Sequence, residues 1–279
     1  MSHPYSAAEL TECFFEELAQ FNACLDTDMC RDTVALAFFV SDNGAKVYEQ
    51  FCKAYFPKYL SEPYKEPGYF ETFAAQDFVG ETNYGVLIRS DLDYPLDEMR
   101  RIFLHEISHL YCTRHETESG NFFDKYCSGS GAEDGMMNAG YAIWREAIAD
   151  IMADSIEIEY AQIALPMVKG TIKELYGKLS ADNPESKKAM SLIIAYVMIS
   201  AEVANTKKWE TAEKAIRRAK ITDNQLLISM LKQVFDQMQR KPPWKITPEF
   251  IMTLGETYVT MLAGIKLREA LNLSDGQKS

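Results

Sequence analysis

The sequence predicts an α+β chain that is mostly helical: a small sheet near the start, a histidine-bearing helix after it, and an all-helical C-terminal part. Three observations carry this. VALAFFV at 34–40 and NYGVLIRSD at 83–91 are short apolar runs of strand length. The segment DYPLDEMRRIFLHEISHLYC, ending at Cys112, has Met99, Phe103, Ile107 and Leu110 at helical spacing. From about residue 161 onward, segment after segment shows apolar spacing of three and four.

The elements follow in order. Residues 6–24 form an amphipathic helix, and 34–40 a buried strand. Asp42 is placed to cap a second helix running towards Tyr59. SEPYKEPGY at 61–69 is a connection, because its prolines disfavour regular structure. GYFETFAAQDFV and NYGVLIRSD then make two strands that meet at a turn around Gly80–Asn83. Pro95 stands at the start of the next helix, with Asp97 and Glu98 where carboxylates suit the positive end of the helix dipole. Residues 117–140 contain five glycines, 120, 129, 131, 135 and 140, and read as a flexible connection, either a lid over a site or an idle surface loop. A further helix starts near Gly140. Asn183-Pro184 and Pro242-Pro243 punctuate the helices after 161, and SDGQKS is a polar tail. The expected organisation is 1–92 for the part with the sheet, 93–160 for the two central helices and their connection, and 161–279 for the helical remainder.

The chain has 279 residues, 41 acidic against 29 basic, and a formal charge of -12. Such a balance argues against nucleic acid and anionic membranes as partners and tolerates a neutral or cationic peptide better. No apolar run approaches the roughly 18 residues that span a bilayer, and no export signal is visible, so a cytoplasmic protein is expected. The six cysteines include no CxxC pair, and free thiols are the expectation.

HEISH at 105–109 carries the chemistry. With four histidines in the chain, the chance that some pair falls four apart with Glu after the first is roughly a few in a thousand. On a helix, His105 and His109 project from one face, opposite the apolar stripe of Met99, Phe103, Ile107 and Leu110. A catalytic zinc site needs three protein ligands. One candidate is His115, which gives HExxHxxCxxH, the metzincin spacing with Cys112 where glycine normally turns the chain. The other is Glu146 in WREAIAD. Here Glu146, Asp150, Asp154 and Glu157 line one side of a helix, and from Glu146 through Val168 there is no Lys or Arg. An uncompensated acidic side implies a positive group nearby, the alternative being an ordinary solvated face.

HEISH at 105–109 together with EAIAD at 146–150 resembles the gluzincins, HExxH zinc metallopeptidases whose third ligand is a Glu in an ExxxD context. The resemblance covers roughly residues 80–160. It implies a zincin-like fold and one Zn2+ per chain held by His105, His109 and Glu146. Glu106 would then activate the zinc-bound water for hydrolysis of a peptide or protein substrate, and Asp150 would orient the ring of His105. It also implies a strand just before the metal helix that pairs with substrate, for which VLIRS at 86–90 is the candidate edge, the alternative being an internal strand of a small sheet. The sequence departs from thermolysin-like enzymes in having no histidine after His115. The oxyanion-stabilising role would fall to a tyrosine, Tyr141 first, with Tyr160, Tyr176, Tyr196 and Tyr258 also available. Without such a group, a catalytically silent zincin-like regulatory or interaction protein is the alternative expectation.

Overall fold

The structure is a computed structural model that describes residues 5–61, 64–66, 68–119, 121–156, 163–239 and 242–276. It is an α+β chain, mostly helical with one three-stranded sheet, and divides into two compact units, Met1–Arg114 and His115–Ser279.

The first unit opens with α1 (Ala7–Cys24), started by a capping box: Glu9 N–H donates to Ser6 Oγ at 3.2 Å, and Ser6 N–H donates to the Glu9 carboxylate at 2.7 Å. Two otherwise orphaned donors are thereby satisfied. Strand β1 (Val34–Phe39) follows, then α2 (Gly44–Tyr55), β2 (Ala75–Val79), β3 (Tyr84–Arg89) and α3 (Leu96–Arg114). The strand order is β1-β3-β2, with β1 parallel and β2 antiparallel to β3. Gly80 N–H donates to the Asn83 carbonyl at 2.8 Å, closing the expected turn. Phe39, Tyr48, Phe51, Phe56, Phe70 and Phe78 form an aromatic core over the sheet. Helix α3 packs on β2 and on α1, with Phe103 against Phe14 and Tyr111 against Phe21. Arg100 reinforces that second contact by pairing with Glu16 at 2.7 Å and with the buried Glu17.

Three boundaries differ from the sequence reading. Asp42 lies in a short 3-10 turn, and α2 starts at Gly44 and stops at Tyr55, a second 3-10 turn covering Pro57–Ser61. Of GYFETFAAQDFV only Ala75–Val79 is strand, because Tyr69–Glu71 tightens into another 3-10 turn whose Phe70 fills the aromatic core. VLIRS is not an edge. β3 is hydrogen-bonded on both sides and buried from Tyr84 to Ile88, so its backbone groups are already spent on β1 and β2. Its unbroken apolar run fits a strand covered on both faces.

The second unit is helical: α4 (Phe122–Tyr126), α5 (Ala132–Ile156), α6 (Leu165–Gly177), α7 (Ser186–Ile199), α8 (Ala201–Ala204), α9 (Trp209–Arg218), α10 (Gln225–Met238) and α11 (Pro248–Gly276). α5 is the hub, packed by α7 and α11. It begins eight residues before the expected Gly140, and the glycine-rich connection is correspondingly shorter. The reason is packing. A Cβ on Gly140 would sit 2.1 Å from the Ile251 carbonyl oxygen, and one on Gly255 1.9 Å from that of Met136, so these two glycines let α5 and α11 touch backbone to backbone. Among the described residues of this stretch, Gly129 and Gly131 take positive φ, at 90° and 102°. The six cysteines are free thiols. Among the described residues no helix is long and apolar enough to cross a membrane.

Candidate metal centre

Helix α3 delivers HEISH as its periodicity requires. Met99, Phe103, Ile107 and Leu110 are buried on one side. The opposite side is largely covered too: His109 is 2% exposed and Glu106 7%, with His105 half-buried. The two rings stand nearly perpendicular, at 83°, and their Nε2 atoms lie 3.0 Å apart. Two nitrogens at zinc-ligand distance from one tetrahedral ion are separated by roughly 3.3 Å, so the pair has close to the spacing of two ligands sharing an ion. Burial fixes the rotamers that keep the nitrogens facing each other.

Glu146 lies on α5, half-buried. His105, His109 and Glu146 make up the one group of three or more His, Cys, Asp or Glu among the described residues that could hold a metal ion. His115 is outside that cluster. The metzincin arrangement needs the chain to leave the helix at the position of Cys112, but α3 continues through Cys112, fully buried, to Arg114. The left-handed residue comes later, at Glu116 with φ 61°. His115 therefore sits in the turn beyond the helix.

The acidic side of α5 is not a solvated face. Asp150, one turn beyond Glu146, is 6% exposed and Asp154 2%. Glu157 lies outside the described residues. Carboxylates on a helix that is buried nearly all round need compensation from neighbouring donors or charges.

The sequence reading missed Glu118 and Arg145. Glu118 is 1% exposed, and Arg145 Nε donates to its carboxylate at 2.9 Å. Arg145 Nη1 also stands 3.9 Å from Glu146 Oε1. One guanidinium thus serves a buried carboxylate and the candidate ligand together. The available signal was position: Arg145 is the last base before the long stretch without Lys or Arg.

Arg145 belongs to a clamp. Trp144 Nε1 donates to the Thr117 carbonyl at 2.9 Å. The Tyr141 hydroxyl accepts from Ser119 N–H at 3.0 Å and donates to the Ser119 carbonyl at 2.7 Å. Three neighbouring positions of one α5 face therefore hold the consecutive residues 117, 118 and 119, and Phe122 stacks on the Tyr141 ring at 4.4 Å. The start of the connection after α3 is pinned to α5.

The Tyr141 hydroxyl is thus committed to a structural pair of hydrogen bonds. Tyr176 accepts from Asn224 Nδ2 at 2.8 Å, and Tyr258 donates to Ser186 Oγ at 2.7 Å. Tyr196 is half-buried on α7, and Tyr160 lies outside the described residues.

Comparison with protein-family models, with curated proteins and with solved structures finds no match.

Proposed function

We propose that the chain is a zinc-dependent peptide hydrolase of gluzincin-like type, with a zincin-like fold around HEISH. The observation that carries the reading is the pair of imidazoles on α3, Nε2 to Nε2 3.0 Å apart, with the buried Glu106 between them in the sequence and Glu146 in the set of groups that could hold an ion. Two imidazoles and one carboxylate are the donor set of catalytic rather than structural zinc sites, which favour thiolates and close all four positions. When bound, such a metal lowers the pKa of coordinated water and polarises a carbonyl.

The chain's own residues would supply the rest. Glu106, adjacent in sequence to the first histidine, would take the proton of the attacking water and return it to the leaving amine. Asp150 would orient a histidine ligand and raise its basicity. The net charge of -12 favours neutral or cationic peptides over acidic ones.

The test is zinc content per folded chain alongside cleavage of a broad peptide library. Wild type should hold one zinc, Glu146→Ala should lose it, and His115→Ala should keep it. Glu106→Gln should keep its zinc and lose hydrolysis by at least about a hundredfold, the scale of general acid–base catalysis. Loss of zinc in His115→Ala alone would move the site to the metzincin pattern. A wild type that holds no stoichiometric metal would end the proposal.

One observation favours a second reading, a catalytically silent metal-binding regulatory or interaction protein. The hydroxyls of Tyr141, Tyr176 and Tyr258 are engaged within the fold, and no histidine follows His115 to stabilise an oxyanion. Zinc-dependent cleavage of any peptide excludes this second reading. A fully zinc-loaded protein that cleaves nothing in the library favours it.

A further inference from the structure

The second unit carries a cavity of about 670 Å³ formed by α6, the α9–α10 connection and α11. Its charge is the reverse of the chain's. Among the described residues, Lys169, Lys173, Lys220 and Arg268 line it against the single carboxylate of Asp223. Among the described residues none of these four cations is engaged in an ion pair. In a protein with a formal charge of -12, four cations on one concavity make a local field opposed to that of the whole.

Two features of the fold work against this clustering and persist nonetheless. Lys169 and Lys173 stand four apart on α6, where like charges repel by a few tenths of a kcal/mol. Lys220 ends α9 in the left-handed region at φ 55°, donating to the Arg217 carbonyl at 3.0 Å while Ile221 N–H reaches back to Ile216 at 3.1 Å. That closing position ordinarily belongs to glycine. A lysine placed there instead puts its side chain at the cavity in exchange for backbone strain.

The remaining lining suits an anion with an organic part. α10, fourteen residues long, points its N-terminal end at the cavity through Gln225 and Leu226, adding the positive end of its dipole. Asn224 caps that end, accepting from Leu226 N–H at 2.9 Å, and its amide donates to Tyr176, which with Ile172 supplies ring and apolar surface. The volume lies within the range of small-molecule and cofactor sites. Four exposed cations around one open concavity suit several negative charges held close together, which a run of phosphate groups provides and a lone carboxylate does not.

We infer that this cavity is a binding site for a small molecule bearing two or more phosphate groups, separate in its chemistry from the candidate metal centre. The test is titration calorimetry of the full chain at physiological ionic strength with inorganic triphosphate and with a nucleoside triphosphate. Wild type should bind both. Lys173→Gln and Lys220→Gly should each weaken binding by roughly tenfold, as expected for loss of one charge-assisted contact. Lys46→Gln, the same loss of charge on α2, should change nothing. Lys220→Gly should also melt no lower than wild type, since glycine relieves the left-handed strain, so its lost affinity is not a folding defect. Tighter binding of the nucleotide assigns a role to the Tyr176 surface and identifies an organic phosphate; equal binding identifies an inorganic one. The inference is overturned if neither probe binds, or if Lys46→Gln weakens binding as much as the cavity variants, which would reduce the effect to general attraction by charge.

Discussion

At the scale of single residues, Arg145 holds two carboxylates with different needs. Glu118 is buried, and an ionised group out of water must be paired or become costly; Glu146 is half-exposed and needs to be aimed more than neutralised. Arg145→Ala therefore acts twice. It should destabilise the fold by about 3 kcal/mol in urea unfolding, because Glu118 loses its guanidinium partner. Under the proposed zinc reading it should also weaken zinc binding by about tenfold, the usual consequence of removing a group that positions a metal ligand. Adding Glu118→Gln to that variant should restore much of the stability and none of the affinity. Restoration of both would make Arg145 a purely structural residue. HEISH was legible in the sequence because its information is local: a spacing of four and a helix pattern suffice to bring two imidazoles together. Glu118 and Arg145 are 27 residues apart, and no local pattern relates them. Only the clamp of Tyr141 and Trp144 on the same segment brings their charges into contact.

At the scale of elements, α5 shows why glycine is an ambiguous signal. A glycine in a helix costs up to about 1 kcal/mol relative to alanine, so a cluster of five reads as a connection. Gly135 and Gly140 are nevertheless both helical, for different reasons. Nothing lies within 4 Å of a Cβ built on Gly135, whereas one on Gly140 meets the Ile251 carbonyl oxygen at 2.1 Å. The same substitution should thus have opposite signs on one helix. Gly135→Ala should raise stability by about 0.5 kcal/mol through helix propensity, while Gly140→Ala should lower it by about 2 kcal/mol or more, as overpacking does. Thermal melts of the two variants decide this; destabilisation by both would mean that α5 begins later than Ala132. The strands illustrate the same limit. Apolar runs located β1 and β3 well, but which strand lies in the middle depends on pairing between segments some fifty residues apart, Val34 with Tyr84. The continuous burial of β3 was consistent with a central strand, and the expectation of an edge came from resemblance alone. Edge positions belong to β1 and β2, and any peptide that adds to this sheet must do so there.

At the scale of the whole molecule, the two units should answer acid differently. In the first, Asp91 ties the end of β1 to the end of β3: Ser41 N–H donates to its carboxylate at 3.0 Å, the Ser41 hydroxyl donates as well, and Arg89 Nε donates at 2.6 Å. Burial opposes ionisation of Asp91, yet these hydrogen bonds and the Arg89 charge outweigh it and hold the carboxyl down at about 2. A carboxyl depressed in the folded state stabilises above its unfolded pKa, near 3.9, and that stability drains away as pH falls from about 4 towards 2. Glu17 works the other way, since burial raises its carboxyl against the pull of Arg100, and acid relieves that burial. Asp91→Asn isolates the first effect and should flatten the dependence of the urea midpoint on pH between about 4 and 2. In the second unit Glu116 and Asp134 are lowered at the surface, where water screens what they contribute, while the buried Glu118 is paired with Arg145. All three tryptophans, Trp144, Trp209 and Trp244, are in the second unit, so their fluorescence reports it alone, while far-ultraviolet circular dichroism reports both. On acidification below about pH 4, a fall in ellipticity that precedes the shift of tryptophan emission would place the first loss in the unit that Asp91 ties. In Asp91→Asn the early loss of ellipticity should already be present at higher pH, because the tie is gone in advance. Coincident curves for both signals in wild type and variant would show that the units unfold together and that Asp91 does not set the acid limit.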